Sequence, residues 1–200
     1  MSSDRAVRLP GANFASSDLP IVELKGFRLL RVHNKDYRAI SFRKVASHRF
    51  SHPDAPGGLL YLAERVETCL WECFGDELLD TQSRLAGSRW QNSHLSQVRS
   101  ASTFRICDLA DERVRLALGV ELGSLMNPDL SIPQDWGLAI QNHPSTVDGI
   151  RYLSRFNQKP SVLLFERPGM DTNLNETFIG TLPDVPKADR FLLDRKIALV

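Results

Sequence analysis

Hydrophobic and polar positions along the chain follow two periods, which predict a mixture of strands and helices. Short or alternating apolar runs predict strands, and longer stretches with apolar residues three or four apart predict helices. The predicted strands cover residues 21–32, with a turn at Gly26, and 59–63, 98–109, 147–153, 161–165, 178–182 and 191–200. Residues 51–58, rich in Pro and Gly, predict a loop.

One apolar stripe predicts a helix directly after the strand at 59–63. Its members fall at helical spacing and are Val66, Cys69, Leu70, Cys73 and Phe74. The helical pattern is expected to resume at Glu77 and to run to about Leu85, with Gly87 closing it. Asp111 is expected to cap a further helix that ends at Gly119, and Pro133 to open another through residue 141.

Strands and helices do not alternate regularly, and no glycine-rich turn links a strand to a helix. A Rossmann or P-loop fold is therefore disfavoured. The pattern favours a single α+β domain with a mixed, largely antiparallel sheet and flanking helices. Residues 1–20 are expected to form an N-terminal arm, and residues 21–200 the domain.

Composition narrows the class of protein. Apolar residues make up 42% of the chain and charged residues 24%, values typical of a globular protein. The net charge of +1 gives no general case for binding nucleic acid or anionic membranes. No apolar stretch approaches a membrane span, and the first residues do not resemble a signal peptide. The three cysteines, Cys69, Cys73 and Cys107, indicate a reducing compartment, so we expect a cytoplasmic location.

Metal chemistry is not expected. Cys69 and Cys73 with His94 could be imagined as ligands, but both cysteines belong to the apolar stripe of the predicted helix, and the spacing of structural zinc sites is missing. The motifs of zinc proteases, serine hydrolases and Walker nucleotide sites do not occur. None of the five histidines has a partner that the sequence alone identifies.

Five short motifs stand out when they are read in order. They are Arg31 at the end of an apolar strand, Arg49-Phe50 before the loop, Tyr61-Leu62-Ala63 in a buried strand, Glu72 on the predicted helix, and the segment from Gly149 to Ser154. This ordered set resembles the RES family, which is named for an Arg, a Glu and a Ser, from about Arg28 to Phe165. One departure is His48, because many relatives carry Gly just before the Arg-aromatic pair.

The resemblance implies a fold similar to that of ADP-ribosyltransferase toxins. It also implies a toxin that consumes NAD⁺, by a glycohydrolase or phosphorylase type of reaction or by transfer of ADP-ribose to a protein, and an antitoxin that covers the active site. NAD⁺ is then a substrate. Depletion of NAD⁺ is the simpler reading, because a transferase also needs a docking surface for its protein target.

The resemblance assigns roles that the chemistry of each residue can fill. Glu72 is expected to stabilise positive charge on the ribose, with Arg31 and Ser154 as the other catalytic residues. Arg31 and Arg49 can bind the pyrophosphate, since Arg presents planar paired donors. Tyr61 can stack on nicotinamide, and Ser154 can fix Glu72 or the ribose by a hydrogen bond.

Each of these residues also has a plain structural reading. Glu72 lies off the apolar stripe, as a solvated helix residue would, and Arg31 could form a surface ion pair. Ser154 could simply begin a turn toward Pro160. Two other function classes stay open: a non-catalytic module that binds a nucleotide or a partner, and a nucleic-acid binder. The residues for the latter would be Arg84, Arg89, Arg99 and Arg105, with Trp90 for stacking.

Overall fold

The computed structural model describes residues 8–200, in which strands and helices are mixed along the chain. The strands are β1 (Val22–Asn34), β2 (Leu59–Ala63), β3 (Arg84–Leu85), β4 (Ser93–Asp108), β5 (Gly149–Leu153), β6 (Pro160–Phe165), β7 (Asn175–Thr181) and β8 (Ala198–Leu199). The α-helices are α1 (Val66–Asp80), α2 (Gly87–Gln91), α3 (Glu112–Leu118), α4 (Leu122–Leu125), α5 (Ser131–Gln141) and α6 (Pro186–Asp194). None of these helices is both long enough and apolar enough to cross a membrane.

The main sheet has six strands in the order β1-β2-β6-β5-β4-β7, and β1 also pairs with β4. These pairings close five of the strands into a ring, while β7 adds to the outer edge of β4. Every pair in this sheet is antiparallel except β4 with β5. The predicted α+β class with a mixed, largely antiparallel sheet is confirmed.

Alternate side chains of the short central strands enter two different cores, because successive residues of a strand point to opposite faces. Leu59 of β2 and Leu163 of β6 belong to the core that also holds Trp136 of α5. Leu60 and Leu62 belong to a second core with residues of β1 and β4. Burial on both faces explains why these strands read as nearly continuous apolar runs.

Strand β1 continues through Gly26, where a turn was predicted. Gly26 instead forms a bulge between Lys25 and Phe27, with a left-handed φ of 52°. The predicted cap and end of α3 are confirmed. Asp111 caps α3 by accepting a hydrogen bond from the backbone N–H of Arg113 at 2.8 Å, and Gly119 ends that helix with a φ of 65°. Two boundaries lie earlier than predicted, since β4 begins at residue 93 and α5 at residue 131.

The prediction of a helix from Glu77 to about Leu85 is correct only as far as Asp80. Helix α1 runs without a break to Asp80, and the next two residues after its C-cap, Gln82 and Ser83, have positive φ values that a helix does not allow. The chain then forms the short strand β3, and Gly87 begins a helix instead of closing one. The buried side chain of Leu85 belongs to a core that also contains Leu70 and Phe74 of α1.

The predicted strand over residues 191–200 is also wrong. Pro186 opens helix α6, and its buried residues Ala188, Phe191 and Leu192 fall at helical spacing. Only the end of the segment, β8, is extended, and it pairs in parallel with β3. The apolar run at 191–193 is therefore part of a helix. An isolated run of three apolar residues does not distinguish a helix from a strand.

The N-terminal segment packs against α5 within the described residues. The ring of Phe14 meets Trp136 edge-on at 5.6 Å, and the Trp136 indole N–H donates to the carbonyl of Arg8 at 2.9 Å. The first part of the predicted arm, residues 1–7, lies outside the described residues. The limits of arm and domain therefore stay a prediction.

Strand β5 passes so close to β6 that its first residue has no room for a side chain. A Cβ on Gly149 would lie 2.1 Å from the carbonyl oxygen of Leu163. We expect Gly149→Ala to lower the free energy of unfolding by about 1–3 kcal/mol, because the two strands must move apart. Urea denaturation measures this loss.

The matched control is Gly123→Ala on helix α4, where nothing lies within 4 Å of an added Cβ. This variant is expected to be neutral or up to about 1 kcal/mol more stable, since Ala favours helix. Equal stability of the two variants would contradict the close packing of β5 on β6.

Candidate active site

A cavity of about 730 Å³ opens where β1, β2, α1 and the loop between β1 and β2 meet the end of β5. This volume is in the range of pockets that enclose small molecules. Four of the five predicted site residues line it, namely Arg31, Arg49, Tyr61 and Glu72. We call it the Glu72 cavity. The fifth predicted residue, Ser154, does not belong to its lining.

Glu72 reaches the cavity because one face of helix α1 is turned toward it. The residues of that face recur every three or four positions and are Cys69, Glu72, Cys73, Asp76, Glu77 and Asp80. The opposite face carries Leu70 and Phe74 into a third core with α6. Glu72 is therefore half-buried against the cavity and is not a solvated surface residue.

A single hydrogen bond fixes the Glu72 carboxylate. Its Oε2 accepts from the hydroxyl of Tyr152 at 2.8 Å. Its Oε1 is buried and has no hydrogen-bond partner among the described residues. A buried carboxylate oxygen without a partner is costly, and such exceptions require an explanation. It is free to interact with a ligand in the cavity.

Sequence reasoning did not predict the contact of Tyr152 with Glu72. Tyr152 lies in the motif from Gly149 to Ser154, but no role was expected for it. The side chain is 1% exposed, and burial together with the Glu72 charge raises the pKa of its hydroxyl well above the usual value. Tyr152 therefore stays protonated and donates to Glu72. Its position in a motif two residues before Ser154 was the available signal.

Arg49 lies over the ring face of the same tyrosine. Its guanidinium carbon sits 4.7 Å from the centre of the Tyr152 ring, and its Nη2 donates to the carbonyl of Leu153 at 2.9 Å. Its Nη1 is buried and has no hydrogen-bond partner among the described residues. Arg49 thus brings an unused donor to the cavity, as Glu72 brings an unused acceptor.

Arg31 is not the surface ion pair that a strand-end arginine often makes. Its Nη1 donates to the carbonyls of Ala39 at 2.8 Å and of Ser41 at 2.9 Å. Burial lowers the pKa of Arg31 to about 10, so the guanidinium remains charged at neutral pH. The residue therefore holds the loop after β1 and adds positive charge to the cavity wall.

Tyr61 extends the aromatic wall next to Tyr152. Its hydroxyl accepts from the backbone N–H of Phe50 at 3.2 Å. Its ring meets His48 edge-on at 5.3 Å and Tyr152 edge-on at 6.4 Å. The hydroxyl is thus used to hold the loop, and the ring remains to form part of the cavity surface.

Ser154 is fully buried in the turn between β5 and β6. Its backbone N–H donates to the carbonyl of Lys159 at 2.9 Å, and its Oγ lies 3.4 Å from the backbone nitrogen of Phe156. The ring of Phe156 stacks on Trp71 of α1 with centroids 5.7 Å apart. The structure therefore connects Ser154 to the helix that carries Glu72, and does not bring it into the cavity wall.

Five arginines and four carboxylates line the cavity, so its formal charge is slightly positive. Arg89 is paired with Glu77, and Arg155 with Asp76. Within residues 8–200, Arg31, Arg43 and Arg49 all line the cavity and form no ion pair with a carboxylate. Three guanidinium groups without a carboxylate partner favour an anionic ligand.

A comparison with known families decides the membership of the chain. The family model of the RES domain matches residues 28–183, more than three quarters of the sequence. The chain belongs to the RES domain family. Its matched region contains all five predicted site residues and Tyr152.

The RES domain described here also resembles a solved structure. A chain in the crystal structure of the M. tuberculosis MbcT-MbcA toxin-antitoxin complex superposes with a TM-score of 0.64 and 16% sequence identity. The match covers 88% of this chain and 92% of that chain. At this identity the likeness shows a shared fold. No curated protein matches the sequence.

Two histidines line the cavity of this RES domain although no partner could be predicted for them. The ring of His48 lies edge-on to the ring of Tyr61. His33 on β1 accepts or donates through Nε2 to the Ser96 hydroxyl at 2.9 Å. Partial burial lowers the pKa of His33 below its ordinary value of 6.5, so its neutral form dominates at neutral pH.

The imagined metal ligands do not come together. Across the described chain, no group of three or more His, Cys, Asp and Glu side chains could hold a metal ion. Cys69 and Cys73 face the cavity as free thiols, and burial raises the pKa of both. His94 instead lies edge-on to His33, with ring centres 5.8 Å apart.

The hypothesis of a nucleic-acid binder needed Trp90 to be exposed for stacking, and Trp90 is buried. Trp90 is only 2% exposed and packs against Phe74 in the core of the RES domain. Arg89 is engaged with Glu77, and Arg105 donates to the carbonyl of Thr146 at 3.2 Å. The burial of Trp90 removes the base-stacking platform on which that interpretation depended.

Proposed function

We propose that this chain is a cytoplasmic enzyme that cleaves the bond between nicotinamide and ribose in NAD⁺. The observation that carries the proposal is the Glu72 carboxylate, held by Tyr152 through one oxygen and without a partner on the other. It lies in a cavity that also holds three guanidinium groups without carboxylate partners. The RES membership and the fold shared with a toxin–antitoxin structure support the same function.

Cleavage of this bond places positive charge on the ribose. The electron pair of the breaking carbon–nitrogen bond leaves with nicotinamide, and the ribose approaches an oxocarbenium ion, as in glycoside hydrolysis. A fixed carboxylate stabilises that charge more in the transition state than in the ground state. Glu72 fits this role because Tyr152 has already oriented it before the substrate binds.

The phosphates and the nicotinamide ring find complementary groups in the same cavity. Nη1 of Arg49 can donate to the pyrophosphate, which would satisfy its buried N–H group. Arg31 adds its charge from the wall of the cavity. Tyr61 presents a ring on which the cationic nicotinamide can lie.

Ser154 contributes indirectly in this proposal. Its turn carries Phe156, which stacks on Trp71, the residue that precedes Glu72 on helix α1. Ser154 therefore acts as a positioning residue for the carboxylate. A direct hydrogen bond between Ser154 and the ribose, the role that the family resemblance allows, would require this turn to rearrange.

Water completes the reaction in the simplest form. Its oxygen attacks the ribose carbon, one proton is released, and free ADP-ribose and nicotinamide are the products. Phosphate or a protein side chain in place of water would give a phosphorylase or an ADP-ribosyltransferase. The cleavage step is the same for all three acceptors.

The first test is turnover of NAD⁺ by purified protein. We expect wild type to release nicotinamide and Glu72→Gln to do so about 100- to 1000-fold more slowly, because the substitution removes the charge and keeps the shape. Chromatography of nicotinamide and ADP-ribose measures both products. Equal amounts indicate hydrolysis, and a shortfall of free ADP-ribose indicates transfer.

Glu112→Gln is the matched control, since Glu112 is an exposed carboxylate on α3 away from the cavity. It is expected to turn over NAD⁺ like wild type. If wild type releases no nicotinamide, even with a cell extract and phosphate as acceptors, the enzyme proposal fails and a binding module becomes the better account.

An enzyme that depletes NAD⁺ harms its own cell, so the proposal includes an inhibitory partner. The structural neighbour is a toxin–antitoxin complex, which supports an antitoxin protein as that partner. We propose that the antitoxin covers the mouth of the Glu72 cavity.

Induced expression tests the toxicity. Wild type expressed alone is expected to stop growth and to lower cellular NAD⁺, while Glu72→Gln expressed at the same level is expected to do neither. Optical density and an NAD⁺ assay of the lysate measure the two effects. Normal growth with soluble wild-type protein would argue against a toxin.

A further inference from the structure

We propose that Tyr37 and Arg43 form the binding site for the adenylate half of NAD⁺. This inference rests on the proposed function and names the part of the substrate that these two residues bind. Both residues line the Glu72 cavity, yet neither lies in the five motifs from which the site was predicted. The argument begins with the segment that carries them.

Residues 35–43, here called the wall segment, follow β1 and are held in place by hydrogen bonds from Arg31. The guanidinium of Arg31 donates to the carbonyls of Ala39 and Ser41, which places two strong hydrogen bonds inside the segment. Because Arg31 is largely buried, these bonds are shielded from water. The segment is thus held by a charged group of the sheet.

Other contacts fix the remaining parts of the wall segment. The backbone N–H of Ile40 donates to Glu176 at 2.7 Å, and that of Tyr37 donates to the carbonyl of Asn34 at 3.1 Å. At its end, Arg43 exchanges two backbone hydrogen bonds with Leu59 of β2, at 3.1 and 2.9 Å. The backbone of this loop is therefore anchored along its length.

Close packing adds to this anchoring. A Cβ on Gly58 would lie 2.7 Å from the backbone nitrogen of Arg43. Only glycine allows the two backbones to approach this closely. A binding site on the wall segment is therefore largely preorganised, which reduces the entropy lost when a ligand binds.

Two side chains of the wall segment, Tyr37 and Arg43, contact each other. The guanidinium carbon of Arg43 lies 4.8 Å from the centre of the Tyr37 ring. The Tyr37 side chain is 51% exposed although it is a large aromatic, and Arg43 is exposed as well. An exposed ring beside a guanidinium is an arrangement on which nucleic-acid bases stack.

Charge selects which half of the dinucleotide binds at Tyr37 and Arg43. Nicotinamide in NAD⁺ is a cation, and Arg43 would repel it. Adenine is neutral and its phosphate is anionic, so both suit a tyrosine next to a guanidinium. The carboxylate of Glu72 and the ring of Tyr61 instead suit the cationic ring. The substrate therefore has one favourable direction in the cavity.

ADP binding tests the inference without any chemistry, because ADP contains the adenylate and lacks nicotinamide. We expect calorimetry to show that wild type binds ADP and that Tyr37→Ala and Arg43→Gln bind it about tenfold more weakly. Tyr37→Phe keeps the ring and is expected to bind like wild type. Arg113→Gln, an exposed arginine on α3, is the control.

Kinetics with a shortened substrate test the adenylate site independently of ADP binding. Nicotinamide mononucleotide contains the same scissile bond but no adenylate. We expect the ratio of kcat/KM for NAD⁺ to that for the mononucleotide to fall about tenfold in Tyr37→Ala, mainly through KM for NAD⁺. A merely structural role would lower both values together and leave the ratio unchanged.

These results separate this inference from the proposed function. Weaker ADP binding by Tyr37→Ala and Arg43→Gln supports the adenylate site even if wild type cleaves no NAD⁺. Unchanged ADP binding in both variants, or an unchanged kinetic ratio, would overturn the assignment even if NAD⁺ is cleaved. Failure of wild type to bind ADP would overturn it as well.

Discussion

The hydrogen bond from the Tyr152 hydroxyl to Glu72 joins the two halves of the candidate active site. Tyr152 comes from the end of a sheet strand and Glu72 from the middle of a helix, so the bond is made only when both are correctly packed. Burial keeps the tyrosine protonated, and the tyrosine gives the carboxylate one orientation. The unpartnered carboxylate oxygen and the unpartnered N–H of Arg49 then belong to the two side chains that contact Tyr152.

The remaining structure serves to hold these two side chains. The ring of five strands brings β1, β2 and β5 to one place, and the stacking of Phe156 on Trp71 ties the turn after β5 to helix α1. Arg31 fixes the wall segment, residues 35–43, by two hydrogen bonds. Of Arg31, Glu72 and Ser154, only Glu72 has a buried side-chain atom without a hydrogen-bond partner among the described residues, whereas the described contacts of Arg31 and Ser154 are with the protein itself.

Much of this could be predicted from the sequence because the signals were local. The cap at Asp111 and the buried strands follow from short patterns, and the ordered motifs placed Glu72, Arg49 and Tyr61 in one site. The errors occurred where an isolated apolar run gave no period, as at 191–193 in α6. Tyr152 was missed because its contact is with a residue 80 positions away, and its place in the motif from Gly149 to Ser154 does not identify that partner.

The most direct test of the account is a double-mutant cycle on NAD⁺ turnover with Tyr152→Phe and Glu72→Gln. Tyr152→Phe keeps the ring under Arg49 and removes only the hydroxyl, so with a folded protein we expect kcat to fall about 10- to 100-fold. In the Glu72→Gln background the same change should cost little, since the carboxylate it orients is gone. Independent, multiplying losses would contradict the claim that Tyr152 acts through Glu72.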